Sequence, residues 1–293
     1  MQEGVPAGTD GGGQVLAALD ASRYTRGVCR YAAWAAGRLS APLTCLHVVE
    51  GRSGRGGDAA GFVDVEPEAG APLLDEPGLL EAVGKLAGEA RGRLLLQQSA
   101  AMAAQAPGLE VHARLGQGSL SDAFAAMANE SALFVMGRRG EHSEFGKGRI
   151  GSQVERVVRG TGRPLLVASR GFNDIRRVLV AFEGSERGQR RLEWVAQSPL
   201  FKGLDIRLVS VGDDSQRPAL DRALKVLADA GVQATGRVVQ GDPQEMIGIH
   251  AEAIRADLLV MGAYGRSRIH QLLMGSTTSI VLRTSRVPVL LLH

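Results

Sequence analysis

Aromatic residues and cysteines are scarce in this sequence. Phe, Trp and Tyr together make up 4% of its 293 residues, so a core suited to this length must be built mainly from aliphatic side chains. The two cysteines, Cys29 and Cys45, each lie in an apolar stretch. They are too few for a disulfide framework or a metal-binding set. We therefore expect both to be small buried side chains.

Long apolar runs and clustered basic residues are also missing. No run reaches the roughly 18 apolar residues that a membrane-spanning helix needs, so no membrane partner is expected. Residues 1–13 are polar and glycine-rich, which predicts a disordered tail and, with no apolar leader, a cytoplasmic protein. The formal net charge of +3 is spread along the chain. Nucleic acid is not an expected partner, because its binders usually show a concentrated basic face.

The usual signatures of catalysis and metal binding do not occur. The six histidines show no ligand spacing and no Ser-His-Asp pattern, so we predict no catalytic and no metal-ligating residue. A glycine-lysine pair at 146–147 fails as a Walker loop, because Gly148 stands where a Ser or Thr would bind magnesium. The pair Gly116 and Gly118 lacks the third glycine of a dinucleotide-binding fingerprint.

The sequence does contain one pattern twice. LFVMGRRGEHSEFGKGRIGS over 133–152 and LLVMGAYGRSRIHQLLMGS over 258–276 each run from an apolar stretch to a glycine-rich loop that ends in Gly-Ser. The spacings are Gly137-x2-Gly140-x10-Gly151-Ser152 and Gly262-x2-Gly265-x9-Gly275-Ser276. A strand that feeds such a loop into the start of a helix is a common phosphate-binding arrangement. The repeat therefore indicates a duplication and a nucleotide ligand.

Matching intervals support the duplication. Asp20 and Val48 are 28 residues apart, and so are Glu183 and Val211. Between the second and third predicted strands the first half is 38 residues longer, and its Gly/Pro/acid-rich composition predicts a surface insertion near 50–105. We predict one domain over 14–170 and a second over 175–293.

Strands and helices alternate in both halves. Such alternation predicts βαβ units with right-handed crossovers and a parallel sheet. The predicted fold class is α/β, with two Rossmann-like domains, each a five-stranded parallel sheet flanked by helices. The ends of the first and fourth strands of each half fall on the same sheet edge, where open sheets bind their ligands.

The repeated residues resemble those of universal stress proteins. The resemblance rests on VLAALDAS at 15–22, VLVAFEGS at 178–185, the two glycine loops and the closing VPVLLLH strand, and it covers 14–169 and 175–293. It implies a tandem protein of the ATP-binding type, a stress-response nucleotide-binding protein that acts as a sensor or regulator. ATP is the implied cofactor, with or without Mg²⁺. Two alternatives stay open, a slow ATPase and a nucleotide-free interaction scaffold, so the enzymatic status is uncertain.

The resemblance also implies an intramolecular pseudo-dimer with the apolar strands 164–169 and 287–292 near the contact, together with a homodimer and unknown protein partners as further options. By position it places a nucleotide site in each half. The main site would comprise Ala181, Glu183, Val211, Met261, Gly262, Tyr264, Gly265, Gly275, Ser276, Thr277 and Thr278. A second, weaker site would comprise Ala18, Asp20, Val48, Met136, Gly137, Arg139, Gly140, Gly151 and Ser152.

Two departures from the family pattern distinguish the halves. In the first half Gln153 and Val154 stand where the second half has Thr277 and Thr278, so two hydroxyls near the phosphates are lost. In the second half Glu183 stands where the family usually has Asp. Because a carboxylate repels phosphate, we expect Glu183 to accept hydrogen bonds from ribose hydroxyls or the base amino group.

Overall fold

The computed structural model describes residues 13–49, 61–66, 72–138, 140, 152–263 and 276–293. Contacts between residues divide the chain into two compact units, with the boundary between Phe172 and Asn173. We call the part before this boundary the first unit and the part after it the second unit. Both alternate strands with helices, which confirms the predicted α/β class with a mostly parallel sheet.

The described residues of the first unit form six strands and five α-helices. The strands are β1 (Gln14–Ala18), β2 (Leu43–Val49), β3 (Phe62–Asp64), β4 (Val111–Gln117), β5 (Ser131–Gly137) and β6 (Leu165–Ala168). The helices are α1 (Thr25–Leu39), α2 (Glu76–Gly84), α3 (Gly88–Ala103), α4 (Leu120–Ala126) and α5 (Ser152–Thr161).

The strands of the first unit lie in the order β3-β4-β2-β1-β5-β6. All neighbours are parallel except β3, which pairs antiparallel with β4. The sheet therefore has one strand more than the five expected. This strand comes from the insertion between β2 and β4, and it pairs with β4 at the outer edge of the sheet.

The described residues of the second unit form five strands and four α-helices. The strands are β7 (Arg177–Ala181), β8 (Asp205–Val211), β9 (Ala234–Val239), β10 (Leu258–Gly262) and β11 (Val289–Leu292). The helices are α6 (Glu186–Gln197), α7 (Arg217–Asp229), α8 (Pro243–Ala253) and α9 (Ser276–Thr284). The strands lie in the order β11-β10-β7-β8-β9, and every pairing is parallel, as predicted.

The strand order places a crevice at β7. From β7 the chain continues outward on one side through β8 and β9, and then returns to place β10 and β11 on the other side. The strand order therefore reverses between β7 and β10, which is where open parallel sheets bind ligands beyond their carboxyl ends. In the first unit β1 holds the same position, between β2 and β5.

The core is aliphatic, in line with the scarcity of aromatic residues. Strands β6 and β11 are buried along their whole length. Cys29 and Cys45 are fully buried thiols, which confirms the sequence prediction. Burial raises the pKa of Cys29 to about 11 and that of Cys45 well above its ordinary value. None of the helices in the described ranges is long and apolar enough to cross a membrane.

Candidate functional site

The carboxyl ends of three neighbouring strands bring the predicted residues of the second unit together. Ala181 ends β7, Val211 ends β8 and Gly262 ends β10. Glu183 follows β7 by two residues, and Met261 is buried just before Gly262. These five positions therefore lie at one edge of the sheet, where the strand pattern placed Glu183 and the start of the glycine loop.

The Glu183 carboxylate is held by protein partners. Its Oε1 accepts a hydrogen bond from Nη1 of Arg191 at 2.7 Å and another from the Ser185 hydroxyl at 3.0 Å. Ser185 is also the N-cap of α6, where its oxygen accepts from the Gly188 N–H at 3.1 Å. The start of α6 therefore fixes the carboxylate that was expected to meet a ribose or a base. The Glu183 side chain keeps 26% of its exposure, so one face stays open to solvent.

Arg191 lies on the buried face of α6. Leu192 and Val195 share this face, and the Arg191 side chain is only 9% exposed. Burial lowers the pKa of Arg191, while the charge of Glu183 opposes that change. A guanidinium keeps its charge in proteins even so. The site therefore contains a buried cation that the sequence prediction did not include.

The guanidinium of Arg191 occupies the space beside Gly262. A Cβ at Gly262 would lie 2.3 Å from Nη1 and 2.5 Å from Cζ of Arg191. The sequence analysis assigned this glycine to the close approach of a ligand, and the structure shows that a protein guanidinium also needs it. The only sequence signal is positional: Arg191 follows Glu183 by eight residues, where the first half has Val28 after Asp20.

Helix α9 begins beside the end of β10. The Thr278 hydroxyl donates to the Gly262 carbonyl at 3.0 Å, and Thr278 is 2% exposed. Its one hydroxyl proton is thus used inside the protein and is not directed at a phosphate. Ser276 is exposed and accepts from the Gln244 amide at 3.3 Å, and Thr277 is partly exposed. Ser276, Thr277 and the N–H groups of the first helical turn, which have no partner within the helix, are the donors at this point.

The first unit repeats part of this arrangement. Ala18 ends β1, Asp20 follows it, and Val48 lies near the end of β2. A Cβ at Gly140 would lie 3.0 Å from Oδ2 of Asp20, so the second glycine of the loop approaches the carboxylate. Met136 and Gly137 end β5, and α5 begins at Ser152.

At the position of Arg191 the first unit has Val28, which is 2% exposed. Both units therefore have a carboxylate after the end of the first strand, but only the second unit has an arginine at the position of Arg191.

Five predicted site residues lie outside the described residues: Tyr264, Gly265, Gly275, Arg139 and Gly151. Within the described ranges, no group of three or more His, Cys, Asp or Glu side chains is placed to hold a metal ion.

Comparison with known proteins identifies similar chains over nearly the whole length. The model of the universal stress protein family matches residues 13–169 and 213–293. Universal stress protein Slr1230 of Synechocystis sp. is 32% identical over 284 residues, which cover 94% of this chain and 98% of that protein.

Two solved structures are similar in fold. A universal stress protein from Archaeoglobus fulgidus has a TM-score of 0.69 at 20% identity, over 95% of both chains. A functionally unknown protein from Pseudomonas aeruginosa has a TM-score of 0.57 at 15% identity, over 96% of this chain and 92% of that one.

Proposed function

We propose that this chain, which belongs to the universal stress protein family, is a stress-response protein that binds an adenine nucleotide beyond the carboxyl ends of β7, β8 and β10. ATP is the preferred ligand, with or without Mg²⁺. Bound nucleotide changes the surface offered to protein partners, so the protein acts as a sensor or regulator. We further propose a cytoplasmic location and the pseudo-dimer that the sequence predicted.

One observation carries this proposal: the carboxylate of Glu183, the glycine at the end of β10 and the start of α9 converge at the strand-order reversal of the second unit. The hydrogen bond from Thr278 to Gly262 ties the first turn of α9 to the end of β10. An anion beyond β10 would then meet unpaired N–H groups and the positive end of the helix dipole.

We assign different parts of the nucleotide to different elements of the site. Ala181, Glu183 and Val211, at the ends of β7 and β8, would face the base and ribose, with Glu183 accepting from hydroxyl or amino groups. Ser276 and Thr277, at the start of α9, would donate to phosphate oxygens. The loop residues Tyr264, Gly265 and Gly275 would complete the phosphate-binding site. Asp20 and the start of α5 would form the weaker site of the first unit.

The test is a direct measurement of nucleotide in and on the protein. The purified chain is denatured and its supernatant is analysed for adenine nucleotide, and the nucleotide-free chain is then titrated with ATP by calorimetry. We expect ATP in the supernatant or saturable ATP binding. If neither is found, and ATP does not raise the melting temperature, the nucleotide-free scaffold replaces this proposal.

A pair of matched variants locates the site. Ser276→Asp places a negative charge at the first residue of α9, where an acidic residue suits the helix, so the fold should be kept while phosphate is repelled. We expect it to weaken ATP binding about tenfold or more. Ser152→Asp makes the same change at the first residue of α5 and should have little effect. Equal losses in both variants, or a loss in Ser152→Asp alone, would move the main site to the first unit.

A further inference from the structure

Arg191 explains how a site with a glutamate at its edge can hold phosphates. We propose that Arg191 makes the second-unit site selective for phosphorylated nucleotides by neutralising Glu183, a role that rests on the proposed nucleotide binding. Arg191 is thus a specificity-determining residue: it acts on the ligand through the charge of Glu183 and through the backbone at Gly262.

The geometry gives Arg191 access to both sides of the site. Its Nη1 lies 2.7 Å from Oε1 of Glu183, on the side where β7 ends. The same guanidinium contacts Gly262, on the side where β10 ends and α9 begins. A cation at this point lies between the carboxylate and the start of α9, where phosphate is expected.

Burial makes the charge of Arg191 effective. Its side chain is 9% exposed, whereas the carboxylate it meets is 26% exposed. A partly exposed carboxylate without a counter-charge would repel each phosphate charge brought to the site. In the low effective dielectric of a protein, a like charge a few ångströms away changes an equilibrium constant by about tenfold or more. The ion pair removes this penalty.

The first unit offers a natural comparison. Asp20 occupies the position of Glu183, and Val28 occupies that of Arg191. Val28 is buried and brings no charge to the strand end. The residue at this position of the first unit therefore cannot provide the discrimination that we attribute to Arg191.

The experiment compares ligands that differ in phosphate number. Affinities for ATP, ADP, AMP and adenosine are measured by calorimetry on the full chain and on Arg191→Met, which keeps a long side chain but removes the charge. We expect ATP binding to weaken about tenfold or more, AMP less, and adenosine by less than about twofold. The matched control is Arg190→Met, on the preceding residue of α6, where the guanidinium pairs with Glu186 at 3.0 Å. It should change every affinity by less than about twofold.

A second pair of variants separates charge from packing. In Glu183→Gln/Arg191→Met both charges are absent, and ATP affinity should return to within about threefold of the wild-type value, because no carboxylate is left to repel phosphate. In Glu183→Gln alone the guanidinium loses its counter-charge, so the preference for ATP over adenosine should rise about tenfold. This last variant is nearly isosteric and tests the proposal even if Arg191→Met does not fold. Circular dichroism and melting temperature report on folding.

The outcomes distinguish this proposal from the proposed function. If the wild-type chain binds no adenine nucleotide, both fail. If it binds ATP, but Arg191→Met weakens ATP and adenosine equally, Arg191 has only a structural role and this proposal alone is overturned. It is likewise overturned if Glu183→Gln leaves the ratio of ATP to adenosine affinity unchanged.

Discussion

Replacing Gly262 with alanine should destabilise the second unit through Arg191. The new Cβ would lie 2.3 Å from Nη1, whereas ordinary van der Waals contact begins at 3.4 Å. The guanidinium must therefore retreat by about 1 Å, which takes its 2.7 Å hydrogen bond to Glu183 beyond normal reach. Hydrogen bonds to charged groups contribute about 1.5–3 kcal/mol. We expect the free energy of unfolding to fall by about 2 kcal/mol.

The assay must measure unfolding of the second unit alone, which is feasible because each unit contains one of the two tryptophans. Trp34 lies on α1 and Trp194 on α6, where its ring packs edge-on against Phe201. In a Trp34→Phe background, urea unfolding followed by fluorescence reports on the unit that contains Trp194. The control is Gly248→Ala within α8, because a Cβ there meets nothing within 4 Å. That variant should be more stable by about 0.5–1 kcal/mol, since alanine favours a helix over glycine.

Introducing Gly262→Ala into a background without the ion pair tests whether Arg191 causes the loss of stability. In the Glu183→Gln/Arg191→Met background the ion pair is gone, so Gly262→Ala should cost less than about 0.5 kcal/mol. If the alanine costs about 2 kcal/mol in both backgrounds, the contact with Arg191 is not the cause of the loss.

Three further predictions concern groups outside the site. Asp242 caps α8 by accepting a backbone N–H at 2.9 Å, so Asp242→Ala should lower the unfolding free energy by about 1 kcal/mol in the same urea assay. Cys29 and Cys45 should resist iodoacetamide at about pH 8 in the native chain and react after unfolding, because burial raises both pKa values; labelling of the native chain would contradict their burial. Burial and two nearby arginines lower the pKa of His250, so the unfolded state binds more protons below its own pKa of about 6.5. Stability should therefore fall as pH drops below about 6.5, and less steeply in His250→Gln; equal slopes in urea titrations would exclude this role.

The sequence was informative wherever a local pattern determines the structure. Strand ends that carry Glu183 and Gly262 could be located because an apolar run followed by a small or acidic residue marks the edge of a parallel sheet. The matching intervals of the two halves then supported a duplication. Strand β3 was missed because it has only three residues and forms through pairing with β4, which no local pattern encodes.

Arg191 and Thr278 are residues whose side-chain roles could not be predicted from the sequence. A charge within an amphipathic helix is normally read as solvent-facing, and only the packing of α6 against the strand ends buries Arg191. The family resemblance placed Thr278 in the site, with its hydroxyl near the phosphates. Its actual partner is the Gly262 carbonyl, and this contact depends on how the start of α9 docks beside β10.

The bond between Thr278 and Gly262 joins a helix start and a strand end into one mechanical element. Gly262 and Met261 in turn lie in register with Leu292 and Leu291 of β11. A displacement of the first turn of α9 would therefore be transmitted to the backbone of β10 and, through the strand pairing, to β11. Binding at the proposed site would in this way change the environment of amides in β10 and β11 that do not contact the ligand.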